Sequence, residues 1–414
     1  MTIILTIDFS PWSAYSGGAQ RSTHNLAKAL CRRGHDVAVV YTKPPWECIA
    51  YPGDLPYDVH WATFFDLRSR RQAPLRPLNA LSVARVVQGL LERKGLAVVH
   101  SNGEEGGMLH RLRRRYRFGF VATPRHPRYP ALLLDHDRRS PWQTARLALT
   151  EGKYLMQGRA VRHADLCVPP SAFAADLVCR AFDLDPSRIR VIPNGVPEEV
   201  LAYHHDPRAL QDGPLVFFGR FDRTKGVDTL VDALGLLGSR APRTLIIGRG
   251  PERAALLRRI HSLGLQEQVT VLEWMSSEVL ARTLTTARMV VLPSREENFS
   301  LALLSAMAVG VPVISTRVGG SPEIVRHEQT GLLVEADRPP LLARAIERLL
   351  DQPALAQDVG QAGRTYVRTH LTWDHVAASF EALYRALPAL KGARHPGPRD
   401  AAAPAPIDAG ETHP

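Results

Sequence analysis

Short β-branched runs alternate with stretches of helical periodicity along the first 192 residues. The predicted strands are residues 3–7, 36–41, 97–100, 120–123, 166–169 and 190–192. Helical patterns at 19–33 and 78–93 separate several of these strands. Because parallel strands need helical crossovers, this alternation is typical of an α/β domain with a doubly wound parallel sheet.

The same pattern starts again in the second half of the chain. Strands are predicted at residues 215–218, 243–247, 269–272, 289–292, 312–316 and 331–334. The two series are separated by PNGVPEEVLAYHHDPRALQDGP, whose Pro, Gly and Asp content favours a linker. We therefore expect a first domain at 1–192, a linker at 193–214 and a second domain at 215–375.

The end of the chain differs from both domains. A helix is predicted at 376–390, where it can cross back to the first domain. Residues 391–414 are rich in Pro, Ala and Gly and offer little to bury, so we expect a disordered tail.

Composition restricts the class of protein. Apolar residues make up 45% of the 414 residues and charged residues 22%, a mixture typical of globular domains. No apolar run approaches the ~18 residues of a membrane-spanning helix and the N-terminus has no leader pattern, so we expect a cytoplasmic protein. The formal charge of +11 favours an anionic partner. The charge alone does not distinguish between nucleic acid, an anionic membrane face and phosphorylated small molecules.

Candidate ligand-binding residues lie in loops that follow strands, because ligands of open α/β sheets bind at the carboxyl ends of strands. Gly17 and Gly18 precede the first predicted helix, although an ordinary tight turn would carry the same glycines. Arg220 and Lys225 follow the first strand of the second domain. Two cations at this place favour a diphosphate-binding site over the alternative, a solvated basic loop. Gly250 allows close approach of a phosphate to the backbone.

The loop PSREENFS combines a carboxylate with a predicted helix start. Glu297 can accept hydrogen bonds from sugar hydroxyls. A helix predicted to begin near Phe299 offers unpaired amides, so Asn298, Phe299 and Ser300 are candidate donor-binding residues.

These segments together resemble a known family. SGGAQRSTHNLAKALCRRGHDVAVVYT, VVHSNG, VIPNGV, FFGRFDRTKGVDTLVDAL, IIGRGPE, PSREENFSLALLSAMAVGVPVIST, VGGSPEIV and TGLLV follow in the order found in retaining glycosyltransferases of family 4. The resemblance covers most of residues 1–375. It implies the GT-B fold, in which two Rossmann-like domains face each other across a cleft.

The resemblance also implies roles for individual residues. Arg220 and Lys225 match the pair that grips the donor diphosphate, and Glu297 matches the first glutamate of the family's E-x7-E signature, which holds the donor sugar. Gly18 matches the glycine loop that closes over the phosphates.

Two positions depart from the family pattern. Ser305 stands where the second glutamate of the signature binds ribose hydroxyls, which fits either tolerated drift or an altered nucleotide preference. Asn102 stands where many members have a histidine that contacts the donor sugar near the reacting centre.

The implied activity is metal-independent, retaining transfer of a hexosyl or N-acetylhexosaminyl group to an acceptor hydroxyl, with no cofactor. UDP is the expected nucleotide because UDP-sugars are the commonest donors of similar chains. The departures at Asn102 and Ser305 keep open a catalytically silent nucleotide-sugar-binding protein. A dinucleotide-dependent oxidoreductase is disfavoured because no G-x-G-x-x-G follows the first strand.

The acceptor is expected on the first domain. Arg125 and His126, in TPRHPRYP, follow a predicted strand and are acceptor-side candidates, although three nearby prolines fit a rigid loop equally well. The basic segment RLRRRYR at 111–117 suits either an anionic membrane surface at the inner face or a solvated helix face. We expect no nucleic-acid partner because no nucleic-acid-binding motif is present.

Overall fold

The computed structural model describes residues 1–13, 16–65, 75–125 and 152–390. Twelve strands in this part of the chain form two six-stranded sheets, and all neighbouring strands are parallel. The prediction of two doubly wound α/β units is confirmed.

The first sheet has the strand order β3-β2-β1-β4-β5-β6. Its strands are β1 Thr2–Ile7, β2 Asp36–Lys43, β3 Asp58–Thr63, β4 Ala97–Ser101, β5 Phe118–Ala122 and β6 Leu166–Cys167. The helices around it are α1 Gly18–Arg32, α2 Arg76–Lys94, α3 Gly152–His163 and α4 Ala172–Phe182, with a 3-10 helix at Glu104–Arg114. The β1 and β4 strands lie at the centre and are almost fully buried, so their carboxyl ends meet above the middle of the sheet.

The second sheet has the order β12-β11-β10-β7-β8-β9. Its strands are β7 Leu215–Phe218, β8 Thr244–Ile247, β9 Val269–Leu272, β10 Met289–Leu292, β11 Val313–Thr316 and β12 Leu332–Val334. The remaining helices are α5 Ala209–Asp212, α6 Val227–Leu237, α7 Arg253–Ser262, α8 Ser277–Thr285, α9 Leu301–Val309, α10 Ser321–Ile324, α11 Pro339–Asp351, α12 Pro353–His370 and α13 Trp373–Arg385. None of the helices described here is both long and apolar enough to cross a membrane.

In the first domain, one predicted strand is wrong and one observed strand was not predicted. Residues 190–192 do not form a strand: Ile189 makes an isolated bridge to Cys167, and Arg190 and Val191 are exposed beside the two-residue β6. Asp58–Thr63 was not predicted, but it pairs with β2 along its whole length. Its mixed polar and apolar residues are half-buried because it lies at the edge of the sheet.

Helix α13 packs on the first domain although it follows the second in sequence. Trp373, Phe380 and Tyr384 are buried in the same core cluster as Ile3 and Leu30. The linker residues 193–214 contain only a 3-10 turn at Glu198–Val200 and the four-residue α5. The tail predicted at 391–414 lies outside the described residues.

Candidate active site between the two sheets

The loops after β7 and β10 meet backbone to backbone at the carboxyl edge of the second sheet. Gly226 has φ of 64°, and a Cβ on it would lie 2.0 Å from the Pro293 carbonyl oxygen. The loop after β11 packs equally closely, because a Cβ on Gly319 would lie 1.7 Å from the Glu297 carbonyl oxygen. These contacts exclude larger residues and fix Lys225 and Glu297 side by side.

Lys225 and Glu297 form an ion pair. The Lys225 Nζ donates to Glu297 Oε2 at 2.6 Å, and the two side chains are 26% and 13% exposed. Asp222 caps the 3-10 turn that carries Lys225 by accepting from the Thr224 amide at 3.0 Å. The structure therefore brings together an ammonium group and a carboxylate that the sequence separates by 72 positions.

Arg295 holds the loop that carries Glu297. Its two terminal nitrogens each donate to Asp228 at 2.8 Å, and its Nε donates to Asp337 at 2.5 Å. These carboxylates raise the pKa of Arg295, since they favour the charged guanidinium. Sequence reasoning did not single out Arg295, although its position two residues before Glu297 placed it in the loop.

Arg220 stands apart from this pair. Its side chain is 72% exposed, and its Nε lies 3.3 Å from Asp222 Oδ2. Because it follows β7 directly, it is a cation at the carboxyl edge of the sheet whose guanidinium remains largely in solvent. Such a group can bind a ligand oxyanion at little desolvation cost.

Two helix N-termini approach each other from opposite domains. Helix α9 begins at Leu301, two residues later than expected, with Ser300 as its N-cap; Ser300 Oγ accepts from the Leu303 amide at 3.4 Å. Phe299 is buried in the core. A Cβ on Gly18, the first residue of α1, would lie 3.4 Å from Leu301 Cδ1. Both N-termini present positive dipole ends to one region, which favours an anion there.

Four predicted donor-binding residues have contacts within the protein. Gly17 donates its amide to Gln20 Oε1 at 2.9 Å, and a Cβ on Gly250 would lie 2.3 Å from the Phe221 carbonyl oxygen. Ser305 is 7% exposed and donates its hydroxyl to the Leu301 carbonyl at 2.9 Å. The Ser305 oxygen is therefore left with acceptor capacity alone. Asn298 is half-buried, and a Cβ on Gly320 would lie 2.0 Å from its carbonyl oxygen.

Asn102 and Arg125 form a buried network at the carboxyl edge of the first sheet. The Asn102 side-chain oxygen accepts from Arg125 Nε at 2.8 Å, and its nitrogen donates to the Thr6 carbonyl at 3.2 Å. Arg125 Nη1 also donates to Asn194 Oδ1 at 2.6 Å. Burial lowers the pKa of Arg125 to about 10. His126 lies outside the described residues.

Acidic residues surround this network, and sequence reasoning missed them. Glu105 is 1% exposed, and its Oε1 accepts from Thr6, Ser101 and the Asn102 amide, each at 2.9 Å. Burial raises the pKa of Glu105 to about 7. Burial, followed by the charges of Glu104 and Glu105, also raises the pKa of Asp8. The position of Asp8 directly after β1 is the sequence feature that could have indicated these acidic residues.

Glu323 joins the two domains. Its Oε2 accepts from the Ala172 amide at 2.8 Å and its Oε1 accepts from the Phe173 amide at 3.1 Å, at the start of α4. A carboxylate of the second domain thus satisfies two amides of a first-domain helix. No local sequence pattern indicates this long-range contact.

The basic segment lies away from these contacts. Residues 111–117 run from the 3-10 helix Glu104–Arg114 into β5. Arg113 pairs with Asp165 at 2.6 Å, and all five arginines of the segment are exposed. The segment therefore presents positive charge on the surface of the first domain.

Two family models match the chain in series. The model described as Glycosyltransferase Family 4 matches residues 16–200, and that described as Glycosyl transferases group 1 matches residues 207–366. The chain belongs to glycosyltransferase family 4. The predicted family membership is thereby confirmed, and the boundary between the two matches lies within residues 193–214.

Curated relatives are similar over different lengths. The D-inositol 3-phosphate glycosyltransferase of Jonesia denitrificans is 33% identical over 223 residues, which are 49% of this chain and 52% of that protein. The match therefore spans about half the length of this relative. The protein of the same name from Corynebacterium diphtheriae is 26% identical over 400 residues, covering 90% of this chain and 91% of that one.

Solved structures confirm the GT-B fold. The sucrose-phosphate synthase of Thermosynechococcus elongatus superposes with a TM-score of 0.76 at 24% identity, covering 93% of this chain and 98% of that one. Anabaena HepE in complex with UDP-glucose gives a TM-score of 0.70 at 19% identity, covering 94% of this chain and all of that one. At these identities the superpositions establish the architecture.

Proposed function

We propose that this family 4 member transfers a sugar from a nucleoside diphosphate sugar to an acceptor hydroxyl in glycan, glycolipid or natural-product biosynthesis. The observation that carries the proposal is the 2.6 Å pair of Lys225 and Glu297 at the carboxyl edge of the second sheet. A cation for the diphosphate and a carboxylate for the sugar hydroxyls lie side by side. Family membership supports the same activity.

Binding of the diphosphate would follow from the positive groups around this pair. Arg220 is exposed after β7, and the first amides of α1 and α9 face the same region. Lys225 can exchange part of its contact with Glu297 for a phosphate oxygen, since an ammonium group has three donors. Glu297 would then accept from the sugar hydroxyls.

Transfer would proceed with retention. The bond between the anomeric carbon and the diphosphate oxygen breaks while the acceptor hydroxyl attacks from the same face, and the acceptor proton passes to the departing diphosphate. Negative charge grows on the diphosphate, so Lys225 and Arg220 bind the transition state more strongly than the donor. Removing one such preorganised group typically costs on the order of 10²–10³ in turnover.

UDP-sugars are the proposed donors, with a hexosyl or N-acetylhexosaminyl group. The structural similarity to HepE, whose solved complexes contain UDP and UDP-glucose, supports this choice. Because Lys225 and Arg220 already supply positive charge, we propose that turnover needs neither a divalent metal nor another cofactor.

A catalytically silent nucleotide-sugar-binding protein is the second candidate. Asn102 is 2% exposed and its amide groups are engaged with Thr6 and Arg125, while the Ser305 hydroxyl is bonded within its own helix. The Asn102 contacts favour binding without turnover, because that side chain is not available to the donor in this conformation.

The exposed arginines of residues 111–117 support a peripheral location at an anionic inner membrane face. Each basic residue near such a surface contributes about 1 kcal/mol to binding. Co-sedimentation with vesicles containing anionic lipid, and loss of it in an Arg114→Gln/Arg115→Gln variant, would support this proposal. Equal binding to neutral vesicles would count against it.

A donor screen tests the activity. UDP-, GDP- and ADP-sugars are added to metal-free protein, and thermal shift and nucleoside diphosphate release are followed in wild type, Lys225→Ala and Glu297→Ala. Arg258→Ala, an exposed cation on α7, is the matched control. We expect one donor to stabilise the protein and to be hydrolysed slowly, with hydrolysis lost in both site variants only. Binding without turnover, even with candidate acceptors, would favour the silent binding protein.

A further inference from the structure

Arg125 is a buried cation whose hydrogen-bond partners in the described chain are neutral. It is 7% exposed, and its Nε and Nη1 donate to the side-chain oxygens of Asn102 and Asn194 at 2.8 and 2.6 Å. Its Nη2 is buried without a hydrogen-bond partner. Among the residues that the structure describes, no carboxylate forms an ion pair with Arg125.

This arrangement differs from the usual environment of a buried charge. Buried arginines are normally paired with a carboxylate, because removing an ion from water is costly unless a counter-charge replaces the hydration. Glu105 is the nearby acidic group, but its Oε1 already accepts from Thr6, Ser101 and the Asn102 amide. Burial raises the pKa of Glu105 to about 7, so its carboxylate is a weak counter-charge near neutrality.

The position of Arg125 indicates what supplies the missing charge. It follows β5, beside Asn102 at the end of β4, where ligands of a parallel sheet bind. The groups proposed for the donor diphosphate, Arg220 and Lys225, belong to the other domain. An anion at Arg125 therefore belongs to the second substrate.

We infer that the acceptor carries an oxyanion, a phosphate monoester or a carboxylate, that binds the Arg125 guanidinium near the reacting hydroxyl. A planar guanidinium with an unused nitrogen is suited to an oxyanion, whereas a neutral polyol leaves its charge unmatched. This inference rests on the proposed glycosyl transfer, since only a transferase has an acceptor. Oxyanion binding at Arg125 can nevertheless be measured without turnover.

Calorimetric titration of inorganic phosphate and, separately, acetate into protein saturated with UDP tests the site. UDP occupies the proposed donor cations, and the two probes distinguish a phosphate from a carboxylate. The variants are Arg125→Gln, which removes the charge, and Arg125→Lys, which keeps it with fewer donors. Arg85→Gln, an exposed arginine on α2 of the same domain, is the matched control.

One probe is expected to bind wild type and Arg85→Gln equally, to bind Arg125→Gln roughly tenfold more weakly, and to bind Arg125→Lys with intermediate affinity. If Arg125→Gln does not fold, the test relies on Arg125→Lys, which must bind the probe more weakly than wild type. A purely structural Arg125 predicts a lower melting temperature in both variants with probe binding unchanged, which would overturn the inference. Probe binding that depends on Lys225 and not on Arg125 would also overturn it.

Failure of the inference is distinguishable from failure of the proposed function. If the protein turns over a donor but oxyanion binding does not depend on Arg125, the oxyanion site is contradicted and the proposed glycosyl transfer is not. Arg125-dependent binding in a protein that hydrolyses no donor supports the oxyanion site and removes the activity.

Discussion

Gly319→Ala tests whether close packing of two loops positions Glu297. Gly319 has φ of 54°, and a Cβ there would lie 1.7 Å from the Glu297 carbonyl oxygen, against an ordinary contact of 3.4 Å. The carbonyl must retreat by about 1.5 Å, which breaks its hydrogen bond from the Gly320 amide and moves Glu297 away from Lys225. Misplacement by about 1 Å can cost 10²-fold in rate.

Gly264→Ala is the matched control for backbone strain. Gly264 has φ of 68°, but a Cβ there meets nothing within 4 Å. Both variants pay about 1–2 kcal/mol for the left-handed conformation, and only Gly319→Ala adds about 1–3 kcal/mol of overpacking.

Urea unfolding and nucleoside diphosphate release are measured on both variants. Gly319→Ala is expected to unfold at the lower urea concentration and to hydrolyse the donor roughly 100-fold more slowly, whereas Gly264→Ala keeps its turnover. Equal stability of the two variants together with full turnover in Gly319→Ala would refute the argument that this contact positions Glu297.

Three further predictions concern contacts outside the Lys225 pair. Glu323→Ala should accelerate hydrogen exchange at the first two amides of α4 by roughly tenfold, whereas the exposed Glu267→Ala should not; unchanged exchange would contradict the interdomain contact. Ser305→Glu should tighten UDP binding by about 1–2 kcal/mol in calorimetry, and an equal gain for 2′,3′-dideoxy-UDP would exclude the ribose hydroxyls as the cause. Because burial raises the pKa of Glu105 from its usual 4.5 to about 7, the native state retains a proton that the unfolded chain loses. The free energy of unfolding should therefore fall by roughly 1–3 kcal/mol between pH 4.5 and 7. Glu105→Gln should make it depend less on pH in unfolding experiments, and an unchanged pH dependence would show that Glu105 is not responsible.

Sequence patterns predicted the central strands of both sheets because those strands are buried on both faces and read as continuous apolar runs. They missed β3, since an edge strand needs no such run: His60 and Thr63 are half-buried there. At residues 190–192 the apolar pattern was present, but the neighbouring β6 has only two residues to pair with.

The site was predictable where a loop follows a strand and less so where distant segments meet. Lys225 and Glu297 each follow a strand of one sheet, which predicts both at its carboxyl edge, but their pairing also requires β7 and β10 to be neighbours, as the structure shows. Contacts between segments, such as Arg125 with Asn194 and Glu323 with α4, depend on how the linker and domains pack, which local patterns do not encode. The bond from Ser305 to Leu301 was equally hidden, because a serine inside a helix can face either its own backbone or a ligand.

We propose that Arg220 and Lys225 stabilise the departing diphosphate during retaining transfer without a metal. The most direct measurement is an NMR time course of donor hydrolysis in EDTA, in which the anomer of the released sugar is recorded before it equilibrates. Wild type is expected to release the sugar with the anomeric configuration of the donor, and Lys225→Ala is expected to slow release on the order of 10²-fold. Release of the opposite anomer, loss of turnover in EDTA, or full activity in Lys225→Ala would contradict this proposal.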